Sequence, residues 1–476
     1  MVSTLLNYFK KSTKNNEFDL YILLRYNEGI RKIWKGGTFM KITSRGGVVS
    51  QLLADVPLPR MFRVSQTFPR PVLPPESIPG TVNEELSKEP FVSKVQPGMR
   101  IAITAGSRGV ANVDIITKAV VDFCKRRGAE PFIVPAMGSH GGATAEGQLE
   151  ILNGYGITEE AMGCPIISSM ETVYLGMSDS GRPVYMDKHA YEADGIILSC
   201  RLKPHNAFRG KVESGPCKMM AVGLGKQKGA ENVHADGMGK IAEHIPSMAK
   251  VFLEKAPILF AIPSIENAYD ETCKIVAIDT PNLIEEEAQW LKYAFANMPS
   301  ILVKESDVLV VDEMGKNFSG TGVDPNIAGT FSTEYAHGGL KVQRTCFLNL
   351  SEASHGNALG VGLANCITAR LFNAIDMDAM YPNIVTNTVF KSGMIPFVVP
   401  TDKEAIQLCI RTTNGVDRAP DKVRVVRIPN TSHIGTIMLS ESYYDDVVAG
   451  KYPNVKALDA PAPLEFDEEG ALITKI

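Results

Sequence analysis

Histidines, lysines and glycines crowd one stretch of this sequence, residues 201–234. The stretch contains His205, Lys218 and His234, with Gly223 and Gly225 between the last two. Imidazoles transfer protons near neutral pH or bind a metal ion, and glycines let the backbone approach an anion closely. Because few large apolar residues occur here, we expect irregular backbone that carries a functional site and no core.

Two further reactive residues follow predicted strands, as His205 does. Arg108 suits a carboxylate because its planar guanidinium donates two parallel hydrogen bonds. Two histidines on opposite sides of a small substrate could act as base and acid. If the strands are neighbours, about 5 Å apart, one cleft holds all three groups, and we expect inversion of a hydroxy acid or similar chemistry. The three strand ends are Arg108 after residues 101–104, His140 after 132–134 and His205 after 196–199.

The elements that must position these residues alternate between strand and helix. Residues 113–127 have the apolar spacing of a helix between the first two strands, and residues 283–297 have it again. Such alternation predicts parallel sheets with right-handed crossovers. We therefore expect an α/β fold with two α/β domains, mainly parallel and Rossmann-like, and a cleft between them. In the second half the pattern predicts strands at 308–312, 396–400 and 423–426, and a helix at 360–375.

A chain of 476 residues is too long for one core. Residues 1–39 look like an N-terminal extension or a mis-assigned start, since a natural beginning occurs at Met40. We expect an N-terminal α/β domain at 40–300, which holds the catalytic and cofactor-binding residues, and a C-terminal α/β domain at 301–476, which closes the cleft. The proline-rich residues 51–95 are expected to be an extended lead-in and neither helix nor central strand.

Composition excludes several classes of function. The net charge is −4 and no basic stripe is interleaved with aromatics, so we expect no nucleic-acid partner. No apolar run is long enough to cross a membrane, and no secretory signal is evident. The eight cysteines form no CxxC pair, which favours reduced thiols and a cytoplasmic protein.

The order of the candidate residues is more specific than any one of them. Ser107-Arg108, then Gly138-Ser139-His140, then Pro204-His205, Lys218 and His234 resembles the nickel-dependent lactate racemase family. The run from Gly315 to Asn326, GKNFSGTGVDPN, is similar to a signature of the broader homologues of that family. The resemblance spans residues 40–470.

This resemblance implies a cofactor and a role for each residue. The family holds nickel in a nickel-pincer nucleotide, a pyridinium mononucleotide with thioamide and thiocarboxylate sulfur donors. A base removes the hydroxyl proton of a 2-hydroxy acid while the α-hydrogen leaves as hydride, and return to the other face gives the other stereoisomer. The implied residues are His140 and His205 as catalytic acid/bases, His234 as nickel ligand, Arg108 and Lys316 for substrate, and Lys218, Ser107, Gly223 and Gly225 for the cofactor.

Some assignments stay open. Lys218 either tethers the cofactor covalently or binds it by charge. For Lys316, the alternative to a substrate role is a structural one, in which the backbone of the glycine-rich loop sets its position. Taken alone, His140 could simply cap a helix, and the spacing around Gly223 and Gly225 is weak evidence for a phosphate site. The expected partners are a hydroxy-acid substrate and the proteins that make the cofactor, and homo-oligomerisation is left open. The alternative functions are a zinc-dependent hydrolase with His140, His205 and His234 as ligands, and a protein that binds a cofactor or organic acid without turnover.

Overall fold

Two large β-sheets organise the chain in a computed structural model that describes residues 43–107 and 109–476. The predicted extension at 1–39 and the predicted anchor Arg108 lie outside these described residues. All elements below belong to one unit, Ser44–Ile476. The strands are β1 Met61–Gln66, β2 Arg100–Ala105, β3 Glu130–Pro135, β4 Thr172–Met177, β5 Pro183–Asp187, β6 Gly195–Arg201, β7 Ile258–Glu266, β8 Thr272–Ile275, β9 Ile278–Asp279, β10 Glu305–Met314, β11 Lys341–Leu350, β12 Cys366–Thr368, β13 Phe397–Val399, β14 Val425–Ile428, β15 Thr436–Ser440 and β16 Val455–Ala457.

The first sheet has the order β3-β2-β6-β7-β8, and β9 also pairs with β7. Strands β3, β2, β6 and β7 are parallel, whereas β8 and β9 run antiparallel to β7. Both faces of β2 are covered, since Ile101 and Ile103 enter one core cluster and Ala102 enters another. A parallel strand covered on both faces has a continuous apolar sequence, which is the signal that predicted it. The condition stated for a common cleft, that β3, β2 and β6 are neighbours, is met.

The second sheet has the order β13-β12-β11-β10-β14-β15-β1-β16. All pairings along the run β13-β12-β11-β10-β14 are parallel. Strand β15 pairs antiparallel with β14, and β1 pairs antiparallel with both β15 and β16. Strand β1 comes from the predicted first domain but pairs with strands from the end of the chain. The predicted boundary at residues 300 and 301 stays a prediction.

The helices cover both sheets. They are α1 Val48–Leu53, α2 Ile78–Leu86, α3 Phe91–Lys94, α4 Val113–Arg126, α5 Ala145–Gly154, α6 Glu159–Met162, α7 Lys188–Tyr191, α8 Pro216–Lys218, α9 Lys226–His234, α10 Met238–Lys255, α11 Leu283–Asn297, α12 Pro325–Ala328, α13 Ala369–Ala374, α14 Met377–Asn387, α15 Asp402–Arg411 and α16 Tyr444–Val448. A π-helix, Met219–Leu224, joins α8 to α9. The predicted helices at 113–127 and 283–297 are confirmed.

Three local expectations were wrong. The proline-rich lead-in contains β1, α2 and α3, because Pro79 lies in the first turn of α2, where a missing backbone N–H costs nothing. The predicted helix at 360–375 is interrupted by β12, whose short sequence Cys-Ile-Thr pairs between two strands. The expected irregular backbone at 201–234 is helical from Pro216 to His234, because its small residues allow close packing of the helices.

All eight cysteines are free, as expected. Within the described residues no helix combines the length and the apolar character that crossing a membrane requires.

Candidate active site

Three neighbouring strands of the first sheet end at one edge, and each is followed by a candidate residue. Ser107 follows β2, His140 follows β3 and His205 follows β6. The carboxyl ends of parallel strands are where open α/β sheets bind their ligands. The sheet order therefore gives these residues a common edge, as the sequence predicts.

His140 lies in a loop of residues 136–144, here named the His140 loop, and it is exposed. Its Nδ1 forms a hydrogen bond with the hydroxyl of Ser107. The loop turns at Gly138, whose φ of +60° is a conformation that favours glycine. From α5, the buried Gln148 donates to the carbonyl of Gly138 at 2.9 Å and to that of His140 at 3.2 Å. The backbone of the loop is thus held from within the protein while the imidazole faces outward.

His205 begins a loop of residues 204–210, here named the His205 loop, and its side chain is half-buried. Its Nδ1 accepts the backbone N–H of Ala207 at 3.1 Å. Its own backbone N–H donates to the buried carboxylate of Glu213 at 2.6 Å, and its ring lies 4.4 Å from that of Phe208, centroid to centroid. Because Nδ1 is an acceptor, the neutral ring carries its proton on Nε2.

Electrostatics joins His205 to Lys218 and His234. Burial lowers the pKa of His205 well below its usual value, and Lys218, His234, Lys203 and Arg209 lower it further. Burial also lowers the pKa of His234 to about 4, with Lys218 as the second cause. Both rings are therefore neutral at pH 7, and the charge of Lys218 acts on both of them.

His234 is the last residue of α9, and its Nδ1 is buried with no hydrogen-bond partner. A buried ring nitrogen without a partner is costly unless a ligand uses its electron pair. Lys218 ends α8, directly before the π-helix, an element that occurs often at functional sites. These features single out His234 and Lys218 as the residues that could hold a metal or cofactor.

Gly223 and Gly225 have packing reasons of their own. A side chain on Gly223 would place its Cβ 2.8 Å from the carbonyl oxygen of Ala136, and one on Gly225 would place it 2.3 Å from that of Ala221. The amide of Gly138 donates to the carbonyl of Gly223 at 3.2 Å. Both glycines thus let the π-helix contact the His140 loop and the start of α9, and their predicted contact with a phosphate stays a prediction.

The second sheet contributes a glycine-rich loop, residues 315–324, which follows β10. Its Lys316 donates from Nζ to the carbonyl of Gly320 at 2.9 Å and to Asn383 at 3.0 Å. In the same loop, the hydroxyl of Thr321 accepts from Asn206 of the His205 loop at 3.2 Å. The predicted substrate role of Lys316 stays a prediction, and the structure shows its ammonium bonded beside this loop.

Arg209 fastens the His205 loop to the second half of the chain. Its guanidinium donates to the carbonyl of His205 at 2.7 Å, to the carbonyl of His337 at 2.9 Å and to the side chain of Asn326. Sequence reasoning missed Glu213 and Asn326 as supports of His205. Asn326 closes the GKNFSGTGVDPN run, so that run contained a signal, whereas a single glutamate in a basic stretch contained none.

A large cavity lies apart from these residues. It measures about 910 Å³ and is lined by residues of two segments, 429–436 and 472–476, together with Asp270 and Asp312. None of His140, His205, Lys218 and His234 lines it. The reactive side chains therefore place the candidate site at the carboxyl edge of the first sheet. The size of the cavity alone does not identify a site.

Comparison with known proteins agrees with this location. A family model described as the lactate racemase N-terminal domain matches residues 60–243. This segment of the chain is therefore similar to the N-terminal domain of lactate racemases. Ser107, His140, His205, Lys218 and His234 all lie within the matched segment, whereas Lys316 lies beyond it.

Two solved structures match the chain at low identity. The lactate racemase apoprotein from Thermoanaerobacterium thermosaccharolyticum is 14% identical, with 83% of this chain and 96% of that chain covered and a TM-score of 0.44. A protein from Thermotoga maritima is 12% identical, with 59% of this chain and 72% of that chain covered and a TM-score of 0.41. No curated protein matches the chain. At this level of similarity the solved structures carry no argument about function.

Proposed function

We propose that this protein is a racemase or epimerase of 2-hydroxy acids. The observation that supports this most is the site formed by His205, Lys218 and His234, which lies within the segment that matches the lactate racemase N-terminal domain. The paired Ser107 and His140 lie at the same sheet edge. One imidazole that takes the hydroxyl proton and a second that donates a hydrogen bond to a substrate oxygen suit a reaction at a hydroxyl-bearing carbon.

The residues fit a nickel-pincer nucleotide. His234 would be the protein's ligand to the nickel ion, because its ring is neutral and offers a buried nitrogen without a hydrogen-bond partner. Lys218, beside His234, would hold the nucleotide by charge or by a covalent bond. When bound, this cofactor supplies an acceptor for hydride. An α-hydrogen next to an ionised carboxylate is a poor acid, so a histidine base would remove it as a proton only slowly. Transfer as hydride avoids this step, and the histidines then handle only the hydroxyl proton.

The two imidazoles handle protons in different ways. Ser107 can accept from Nδ1 of His140, which puts the lone pair of that ring on Nε2, where it takes the hydroxyl proton of the substrate. His205 stays neutral with its proton on Nε2, and from there it donates a hydrogen bond to a substrate oxygen. Arg108 and Lys316 are proposed to bind the substrate carboxylate, and Ser107 also to border the cofactor.

A zinc-dependent hydrolase is less well supported. It would need three protein ligands, and among residues 43–107 and 109–476 no group of three His, Cys, Asp or Glu side chains is arranged to hold a metal ion. A single protein ligand with three donors from a cofactor does not require such a group. No observation favours a binding protein without turnover over an enzyme.

The proposal extends to where the protein works and with what. We propose a cytoplasmic enzyme that receives its cofactor from dedicated biosynthetic proteins and acts on a small hydroxy acid. No nucleic-acid or membrane partner is proposed.

Two alanine substitutions test the assignments. We expect His234→Ala to lose nickel, measured by elemental analysis of protein made in a host that produces the cofactor. We expect His140→Ala to keep nickel and lose turnover, because its ring touches substrate and not metal. The opposite pattern, or zinc in place of nickel in the unmodified protein, would contradict the proposal.

A further inference from the structure

Lys226 is a fully buried lysine next to the candidate site. Its ammonium lies 3.0 Å from the carboxylate of Asp187, and both side chains are at most 1% exposed. It also donates to the carbonyl of Pro135 at 2.6 Å and lies 3.5 Å from the amide oxygen of Gln148. Its burial and its pairing with Asp187 keep this ammonium inside the protein, away from any bound ligand.

The conformation of Lys226 is also unusual. Its φ is +55°, in the left-handed region that side chains with a Cβ seldom adopt. Such a conformation is energetically costly and persists where the surrounding structure imposes it. A buried ion pair adds little net stability compared with apolar side chains of similar volume. Stability alone therefore gives a poor account of a strained, buried lysine.

The partners of Lys226 explain its burial and its backbone conformation better than stability does. Pro135 is the last residue of β3, directly before the His140 loop, and Gln148 holds the carbonyls of Gly138 and His140. Lys226 is also the first residue of α9, which ends at His234. One ammonium thus joins the beginning of the His140 loop, the glutamine that holds this loop, and the helix that carries His234.

We propose that Lys226 is a positioning residue, which with Asp187 and Gln148 fixes His140 relative to the helix of His234. The proposal rests on the proposed function for its catalytic meaning, but its structural content does not. In the reaction, a fixed His140 keeps its Nε2 in line with the substrate hydroxyl. A displacement of about 1 Å at a proton-transfer residue can lower the rate roughly 10²-fold.

The test removes both charges together, so that no unpaired charge is buried. In the double variant Lys226→Met with Asp187→Asn, residue 187 keeps the side-chain oxygen that accepts the Ala190 amide. The matched control is Arg427→Met with Asp312→Asn, a bidentate pair in the second sheet whose guanidinium is buried and whose carboxylate is half-buried. The readout is the ¹⁵N spectrum of histidine-labelled protein, in which His140→Gln identifies the His140 signals.

We expect the double variant to fold and to lose the Nδ1 signal typical of the hydrogen bond to Ser107, while the control keeps it. We also expect kcat to fall roughly 10²-fold with KM changed less than threefold in the double variant alone. An unchanged His140 signal in the folded double variant would overturn the proposal. This readout needs no substrate, so a protein without racemase activity would contradict the proposed function, while the His140 signal would still decide whether Lys226 positions His140.

A second pair of variants tests the same proposal if the double variant does not fold. Gln148→Met removes the two hydrogen bonds to the His140 loop and buries no charge. Gln407→Met is its control, because Gln407 is a buried glutamine of α15 that donates to the carbonyl of Val56 at 2.9 Å. We expect Gln148→Met to change the His140 signals and Gln407→Met to leave them as they are. If the His140 signals of Gln148→Met are the same as those of Gln407→Met, the proposal is overturned.

Discussion

The two candidate acid/base histidines lie at the ends of nearby strands but in opposite surroundings. His140 is exposed and its Nδ1 meets a hydroxyl, which can donate or accept. His205 is half-buried and its Nδ1 meets the backbone N–H of Ala207, which can only donate. The hydroxyl partner thus allows either ring tautomer at His140, whereas the amide partner and burial hold His205 in one neutral form.

This difference teaches that two histidines at one edge need not share one role. Burial and the positive charges of Lys218, Lys203 and Arg209 keep His205 neutral. A neutral ring with its proton on Nε2 is a hydrogen-bond donor and a poor base. We infer that His140 takes the proton and that His205 stabilises charge on a substrate oxygen.

Replacing each histidine with glutamine is expected to give the largest difference between the two positions. Glutamine can donate a hydrogen bond but cannot take a proton at neutral pH. We expect His140→Gln to lower kcat roughly 10²- to 10⁴-fold, and His205→Gln to lower it only about tenfold. The measurement is steady-state kinetics on protein with equal nickel content.

The same comparison has a readout without kinetics. In histidine-labelled protein, the ¹⁵N signals of His205 should show protonation at Nε2 and a bare Nδ1 from pH 6 to pH 8. A His205 ring protonated at Nδ1, or equal losses of kcat in the two glutamine variants, would end the distinction between the two histidines.

A smaller effect is expected when the His205 loop is loosened. Arg209→Lys loses the forked contacts to the carbonyl of His205 and the side chain of Asn326, because an ammonium cannot span both. We expect about 1–3 kcal/mol less stability in denaturant unfolding, and faster amide exchange in residues 204–210. Arg344→Lys is the control, since Arg344 donates to the carbonyl of Thr412 on an exposed part of the second sheet. Unchanged exchange at His205 in Arg209→Lys would show that other contacts hold this loop.

The smallest effect concerns pH and the buried side of the site. Burial raises the pKa of Glu287 from 4.5 to about 7, although its carboxylate accepts the amide of Cys217 at the start of α8. The folded state therefore binds this proton more tightly, and stability falls as pH rises from about 4.5 to 7. We expect Glu287→Gln to equal the natural protein near pH 4.5 and to exceed its stability by at most about 3 kcal/mol at pH 8.

Thermal unfolding at several pH values measures this effect. Glu285→Gln, on the same helix but exposed and paired with Lys211, is the control and should show no such gain with pH. A Glu287→Gln variant whose advantage shrinks between pH 5 and pH 8 would contradict the sign of this linkage.

Much of the frame of the site could be predicted from the sequence. Continuous apolar runs indicate β2, β3 and β6 because parallel strands are buried on both faces, and the residues after those runs share an edge for the same reason. The order of Ser107, His140, His205, Lys218 and His234 along the chain points to the family that the domain match supports.

The rest depended on tertiary contacts that no local pattern encodes. The tautomer of His205 follows from the position of one amide, that of Ala207, and the burial of Lys226 follows from Asp187, which is 39 positions away in the sequence. Likewise, Gly223 and Gly225 resemble a phosphate loop in sequence, but their surroundings show helix packing. Local composition could not distinguish a glycine needed for a ligand from a glycine needed for a neighbouring helix.

The central claim is that the site interconverts stereoisomers of a 2-hydroxy acid by moving the α-hydrogen as hydride. Its most direct test incubates the holoprotein with single stereoisomers of hydroxy acids that carry deuterium at C2. We predict that at least one acid forms its opposite stereoisomer with the deuterium retained at C2, observed by mass spectrometry and chiral separation. Interconversion with solvent hydrogen at C2, or none across a broad panel of acids, would contradict the account.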